Sequence, residues 1–392
     1  MPGVNDMTFN QLATVMNSVV NQATGVTNIT PTNTAEFVSV GTTALQMGTD
    51  AIFNALTNVI GRTIFANRPY SRKFKGLEAS QQRWGYITRK VSISDRAFED
   101  DPSFTLTDGG TVDPWKIKKA KLIEEKFYGT NIFQDFLTIP TVQLRSAFTT
   151  PADFAALLDL MTTNMQDRLE QSTEAGARGA LANMIAGVVT GGGSEQEVHL
   201  LTLYNAETGL SLTATTVMQP ANFAPFMRWA YAKIASISDR LTERSTLYHT
   251  SLTNLPINRH TPIEDQRLFV FSPNRRQMDA QVLSTTFNER YLDQPYTESV
   301  NYWQSIETPD QVKVTPAYLA ADGTITTAQS AVTVEKIFAV LCDRDALGIT
   351  LFDESVLPSP LNPSGQYYNV FYHRNTRWWN SFTENCVVFL LD

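Results

Sequence analysis

TPADFAALLDLMTTNMQDRLEQSTEAGARGALANMIAG, residues 150–187, is the stretch on which the architecture turns. Thr150 is a helix-capping residue type, Pro151 suits the first helical position, and Asp153 completes a box-like start. Phe154, Leu158, Met161, Met165 and Leu169 step by three or four, and the stripe continues through Thr173, Gly176, Ala177 and Ala180 to Met184. The pattern predicts one unbroken helix over 150–187, about 55 Å long, well beyond the ~10–14 residues usual in globular proteins. Its small residues leave room for another backbone to come close. Gly191-Gly192-Gly193-Ser194 ends the element. No Lys-Ser or Lys-Thr follows, so the glycines read as a connector and not as a phosphate loop.

Upstream, residues 62–130 are charged in blocks. Arg62, Arg68, Arg72, Lys73, Lys75, Arg83, Arg89 and Lys90 precede a mainly acidic run (Asp95, Glu99, Asp100, Asp101, Asp108, Asp113), then Lys116, Lys118, Lys119, Lys121 and Lys126. Arg83–Phe98 and Asp113–Tyr128 read as extended. Asp101-Pro102-Ser103 and Asp108-Gly109-Gly110 between them supply turn chemistry. The expectation is one long hairpin whose arms reach roughly 50 Å each. A two-stranded ribbon is barely stable alone, so it needs another surface. Arg83, Arg89, Lys90, Asp100, Asp101, Lys116, Lys118, Lys119 and Lys121 are the candidate contacts to a neighbouring subunit. An ordinary hairpin in a larger sheet is the competing reading.

Residues 1–61 contain no Lys or Arg and only Asp6, Glu36 and Asp50 as acids. Two amphipathic pieces, about 8–20 and 35–60, flank Gly25 and Pro31. So polar a segment is expected to be a loose tail or an arm ordered by neighbouring subunits.

Downstream the pattern is mixed. Glu197–Tyr204 and Leu210–Val217 read as strands about a turn at Asn205–Gly209. A helix opening at Asn222, with Pro225 in its first turn, buries Met227, Ala230, Tyr231, Ile234, Ile237 and Leu241. Leu268–Phe271 is a strand running through Ser272-Pro273 into a helix of about 273–285. Val334–Cys342, Tyr367–His373 and Cys386–Leu391 read as strands.

Of the 392 residues, 42% are hydrophobic and 18% charged, an ordinary globular composition able to bury a sizeable core. Two cysteines exclude a disulfide scaffold and a four-thiolate metal site. A net charge of −8 argues against tight sequence-independent nucleic-acid binding. No basic leader and no apolar run near 18 residues appear, so a soluble chain made in a reducing compartment, with no membrane partner, is expected.

Catalytic patterns are missing. His199, His249, His260 and His373 lie far apart, with no nucleophile elbow, P-loop or paired-cysteine motif. No cofactor is expected. Asp343, Asp345, Asp353 and Glu354, with Arg344 among them, read as an ion-pair network before a carboxylate metal site. Tyr372–Trp379 mixes basic and aromatic residues. Packing of the tryptophans on the core with arginine stacked beside them is favoured over base stacking.

Beside a mixed domain stand a weakly charged arm, a charged ribbon and an over-long helix, and each of these three buries its apolar face poorly within one copy. That describes one tile of an assembly. The order of elements resembles the tailed-phage major capsid proteins of the Hong Kong 97-type fold. Leu268–Leu283 resembles the axial-domain strand that runs into a helix, and Lys336–Asp343, Ala346-Leu347-Gly348 and Glu384–Leu390 resemble the closing strands of the peripheral domain.

The resemblance implies an α+β capsid fold with an N-terminal arm (1–61) and an extended β-hairpin loop (62–130). It further implies a peripheral domain (131–209, spine helix 150–187), an axial domain (210–330) and peripheral C-terminal strands (331–392). The implied function is structural: self-assembly, as hexamers and pentamers, into the icosahedral head shell enclosing the genome of a tailed double-stranded DNA phage. The shell would form in the host cytoplasm, with a portal and decoration proteins, and would hold DNA without specific binding. A hairpin beginning near residue 62 leaves no room for a leading scaffolding segment, which implies a separate scaffolding protein. An encapsulin-like shell, a tail or connector protein, and an enzyme with a scattered site are the other readings.

Overall fold

The computed structural model describes residues 8–25, 31–46, 48–62, 73–78, 87–94, 102–115, 117–119, 121–193, 195–253, 255–281 and 297–392. Its elements in chain order begin with α1 (Phe9–Thr24), α2 (Thr34–Gln46), α3 (Thr49–Arg62), β1 (Thr88–Ile93), β2 (Leu122–Phe127), β3 (Asn131–Pro140), α4 (Thr141–Ala147) and α5 (Pro151–Gly191).

The expected long helix is α5, 41 residues running four past Gly187. Thr150 caps it: its side chain accepts from the Asp153 N–H at 3.1 Å, and Pro151 sits in the first turn. Its N-terminal half (Phe154, Leu158, Met161, Met165) belongs to one core and its C-terminal half (Leu181, Met184, Ile185, Val188) to another. The small residues admit aromatic rings rather than a second backbone. A Cβ at Gly176 would fall 2.0 Å from Trp378, one at Gly187 2.6 Å from Phe382, and one at Gly191 2.3 Å from Tyr318.

The described residues of 8–62 are not a loose tail but pack on their own chain. The helices α1, α2 and α3 bury Met16, Val19, Val20, Phe37, Phe53 and Leu56 against Phe154, Leu158 and Met161 of α5. The polar composition misled because hydroxyls are satisfied within the helices. Thr14, Ser18, Thr42 and Thr57 each donate to the carbonyl four residues back, at 2.8–2.9 Å.

Next come β4 (Glu197–His199), α6 (Leu200–Thr208), α7 (Pro220–Leu241), β5 (Gln266–Phe271), α8 (Ser272–Gln281) and β6 (Thr297–Val300). The series closes with β7 (Val312–Val314), β8 (Ala317–Leu319), β9 (Ile325–Thr327), β10 (Val332–Val334), β11 (Ile337–Asp343), β12 (Leu347–Pro358), β13 (Tyr367–Asn380) and β14 (Cys386–Leu390). A five-stranded sheet, β4-β14-β11-β5-β6, is sandwiched between α5 and α7. Along β11 and β14, residues alternate between the α5 core (Val340, Cys342, Val388) and the α7 core (Ala339, Leu341, Val387, Phe389). Both faces are covered, so these strands are apolar throughout.

The helix α7 starts at Pro220, two residues before the expected Asn222, and buries all six of the residues expected on its inner face. The strand expected over Glu197–Tyr204 is only three residues long before α6 begins. Leu200, Leu201 and Tyr204 lie on one helical face, packed with α7. Leu210–Val217 is turn and irregular chain, held where Asn205 bonds both the N–H and the carbonyl of Leu212 at 2.9 Å. The end of the expected 273–285 helix lies outside the described residues.

A three-stranded antiparallel sheet, β12-β13-β3, carries its inner face onto α5 and the helices α1–α3. Tyr368 stacks on Phe53 at 4.3 Å and donates to Asp50. The Tyr372–Trp379 peptide is the middle of β13, with Trp378 on Gly176 and Arg377 4.7 Å over the Phe352 ring, the core-packed reading.

Candidate inter-subunit surface

The strands β1 and β2 pair antiparallel from Thr88↔Phe127 to Ile93↔Leu122. The regular ladder is six residues a side, shorter than the 16-residue arms expected; among the described residues 113–115 and 117–119 have no strand structure, and 83–86, 95–98, 116 and 120 lie outside the described residues. Alternation splits the ribbon into two faces. Thr88, Lys90 and Ser92 with Ile123, Glu125 and Phe127 turn toward the body. Arg89, Val91 and Ile93 with Leu122, Glu124 and Lys126 turn outward.

Polar anchors hold the inner face. Lys90 Nζ lies 2.5 Å from Glu384 and donates to Ser381 Oγ at 3.0 Å; Ser381 in turn donates to Glu125 at 2.8 Å. Arg259 reaches Glu384 at 3.1 Å and donates to Ser92 at 2.7 Å. Arg377 donates to Thr88 Oγ1 and to the Gly129 carbonyl, and Phe127 packs 5.5 Å from Trp379. Burial raises the Glu384 carboxyl, against the pull of Lys90 and Arg259. A second anchor lies where the chain approaches the ribbon. The buried Arg178–Glu174 pair (2.6 Å) takes the Lys73 N–H on Glu174, and the Arg178 guanidinium stacks 3.7 Å from Tyr302 and 5.0 Å from Phe74.

The outer face is uncovered. Val91, Ile93 and Leu122 are each about 60% exposed, and beyond the ladder Trp115 and Ile117 reach 85% and 81%. Another bare apolar strip crosses the outer face of β12-β13-β3, where Phe136 sits 5.7 Å from Phe371 beside exposed Ile132 and Leu357. Such patches mark contact surfaces.

The charged candidates divide. Arg89 is exposed on the outer face and pairs with Glu124 at 3.4 Å. Lys118, Lys119 and Lys121 are exposed along the returning arm. Lys90 is engaged by its own chain and is not available outward. Arg83, Asp100, Asp101 and Lys116 lie outside the described residues. What charge-reading missed is the apolar component. Its signal was the odd-numbered series Ile87, Val91, Ile93, which strand alternation places on one side.

Charge is also unevenly shared. Residues 62–130 hold 14 Lys and Arg against 9 Asp and Glu, net +5, so the rest of a chain totalling −8 carries −13. Elsewhere, Arg344 pairs with Asp265 at 2.9 Å and Asp345 at 3.6 Å, and Glu354 with Arg374 at 2.6 Å. No cluster suited to a metal ion occurs among the described residues, and none of their helices is long and apolar enough to cross a membrane.

The model of the family described as Phi29-like phage major capsid protein matches residues 12–390. No curated protein matches the chain. Among solved structures, the capsid of Staphylococcus phage Andhra is similar at a TM-score of 0.54 and 9% identity, covering 84% of this chain and 87% of that one. The structure of head fiber and inner core protein gp22 of native bacteriophage P68 is similar at 0.55 and 11%, with the same coverages. The likeness is one of fold, consistent with the α+β Hong Kong 97-type architecture.

Proposed function

This chain belongs to the Phi29-like phage major capsid protein family, and from that membership we propose that its ribbon ties each copy of the shell to the next. It is a structural protein of a phage head shell, a multimeric assembly, and its place is the virion capsid.

The observation that carries it is the ribbon's outer surface, apolar at Val91, Ile93, Leu122, Trp115 and Ile117 and basic at Lys118, Lys119 and Lys121, on a chain whose remainder is acidic. A basic, apolar projection and an acidic body on one chain favour head-to-tail contact between unlike surfaces, the kind that closes rings. Each exposed ion pair contributes only about 0–1 kcal/mol, and repetition over many copies makes the whole stable.

In this reading the sheet β12-β13-β3 with the N-terminal half of α5 and the helices α1–α3 of the arm lies at the periphery, and the sheet β4-β14-β11-β5-β6 with α7 forms the axial part about which hexamers and pentamers close. The net negative charge suits a container that holds double-stranded DNA without gripping it. A separate scaffolding protein, a portal and decoration proteins would complete assembly in the host cytoplasm. Deleting residues 95–112 should leave a folded subunit that elutes as monomers or small oligomers and forms no closed shells by negative-stain microscopy. Normal shells from that deletion would sink the proposal.

A further inference from the structure

Cys342 of β11 and Cys386 of β14 stand directly opposite each other in the antiparallel register. The main chain identifies the kind of pair. The Cys386 N–H donates to the Tyr248 carbonyl at 2.8 Å, and its carbonyl accepts from Gln196 Nε2 at 3.3 Å, so both turn away from β11. The adjacent inter-strand bond runs from the Asp343 N–H to the Asn385 carbonyl at 2.8 Å. Cys342 and Cys386 are therefore a non-hydrogen-bonded pair. In such pairs the Cα atoms come to about 4.5 Å and the side chains approach most closely. That spacing lies at the short end of the roughly 4.4–6.8 Å that a disulfide spans. Both side chains enter the same core, with Val340, Val388 and Ile185.

We propose that Cys342 and Cys386 form a dithiol–disulfide site, a cross-strand staple closed by exchange with a small-molecule disulfide. One thiolate attacks the small disulfide and releases one small thiol, leaving a mixed disulfide. The second protein thiolate attacks the protein sulfur of that intermediate and releases the other small thiol. The protein loses two protons and two electrons, and the small disulfide gains them.

The surroundings govern the rate. Cys342 and Cys386 are 0% and 1% exposed. Burial pushes the Cys386 thiol up to about 12 and the Cys342 thiol well above its ordinary value. Thiolate is scarce, and exchange proceeds through opening of the C-terminal strand. A copy folded in a reducing compartment keeps the dithiol, and prolonged exposure to an oxidising one closes it. The staple encloses residues 343–385, which include β12, β13 and the ribbon anchors Ser381 and Glu384.

The test holds the full chain in oxidised and reduced glutathione of graded ratio, reached both from folded protein and by refolding. Free thiols are then trapped with N-ethylmaleimide in denaturant and the intact mass is read. Two adducts are expected at the reducing end and none at the oxidising end, with two hydrogens lost. Cys386→Ser should show one adduct or one glutathione there. Two adducts persisting at the oxidising end by both routes, or wild type accumulating protein–glutathione disulfide in place of the internal bond, would overturn the assignment.

Discussion

Lys90 Nζ and Glu384 Oε1 meet at 2.5 Å across the base of the ribbon, with Arg259 on the same carboxylate at 3.1 Å. The Glu384 side chain is 9% exposed, so these partners stand in for water around it, while burial still outweighs their pull and raises the carboxyl. Glu384→Gln takes the shared carboxylate from Arg259 and leaves Lys90 only Glu125, at 4.0 Å. It should destabilise the fold by about 2–4 kcal/mol and raise hydrogen exchange in β1 and β2 above that in β5 and β11. Unchanged exchange in the ribbon would remove Glu384 as its anchor.

Two glycines on α5 should respond with opposite signs. A methyl at Gly176 collides with Trp378, whereas one at Gly179 meets nothing within 4 Å. Gly176→Ala should cost about 1–3 kcal/mol, and Gly179→Ala should stabilise by about 0.5–1 kcal/mol through helix propensity. Chemical denaturation of the two variants checks both, and Trp378→Ala should relieve the Gly176→Ala penalty.

Stability should depend on pH through His249 and Glu384, with opposed signs. Burial, with Arg259 and Lys90 nearby, holds the His249 imidazole below its ordinary 6.5. Its contribution is present above pH 6.5 and is lost as pH falls through that value toward the folded one. Glu384 is raised above its ordinary 4.5, so its contribution is present below 4.5 and is lost as pH rises through the folded value. His249→Gln removes the first effect. Its melting temperature should therefore fall less than that of wild type between about pH 7 and about pH 5, and an equal fall would contradict the assignment.

The ribbon's outermost apolar residues should matter to assembly and not to folding. Trp115→Ser combined with Ile117→Ser should leave stability within about 0.5 kcal/mol of wild type and reduce the yield of closed shells. Wild-type shell yield would show that this surface contacts no neighbour.

The helix α5, the inner face of α7 and the strands β5, β11 and β14 were legible in the sequence because each has a strong period or an apolar run enclosed by turn residues. The helices α1–α3 were legible only as amphipathic pieces. Their threonines and serines read as solvent-seeking, yet they bond the carbonyl four residues back and ride within the helix. The ribbon's charges were legible too, but whether a lysine faces outward or inward was not. Lys90 and Arg89 are adjacent and chemically alike, and the pleat sends one to Glu384 and the other to solvent.

Local periodicity and composition by themselves determined the long helix, the ribbon and the mixed sheet domain, since these depend on neighbours along the chain. Tertiary structure alone decided three pairings across long stretches of chain: which rings fill the glycine notches of α5, which carboxylate holds the ribbon, and that Cys342 lies opposite Cys386. Each depends on strand register, and a shift of one residue would turn every side chain to the other face.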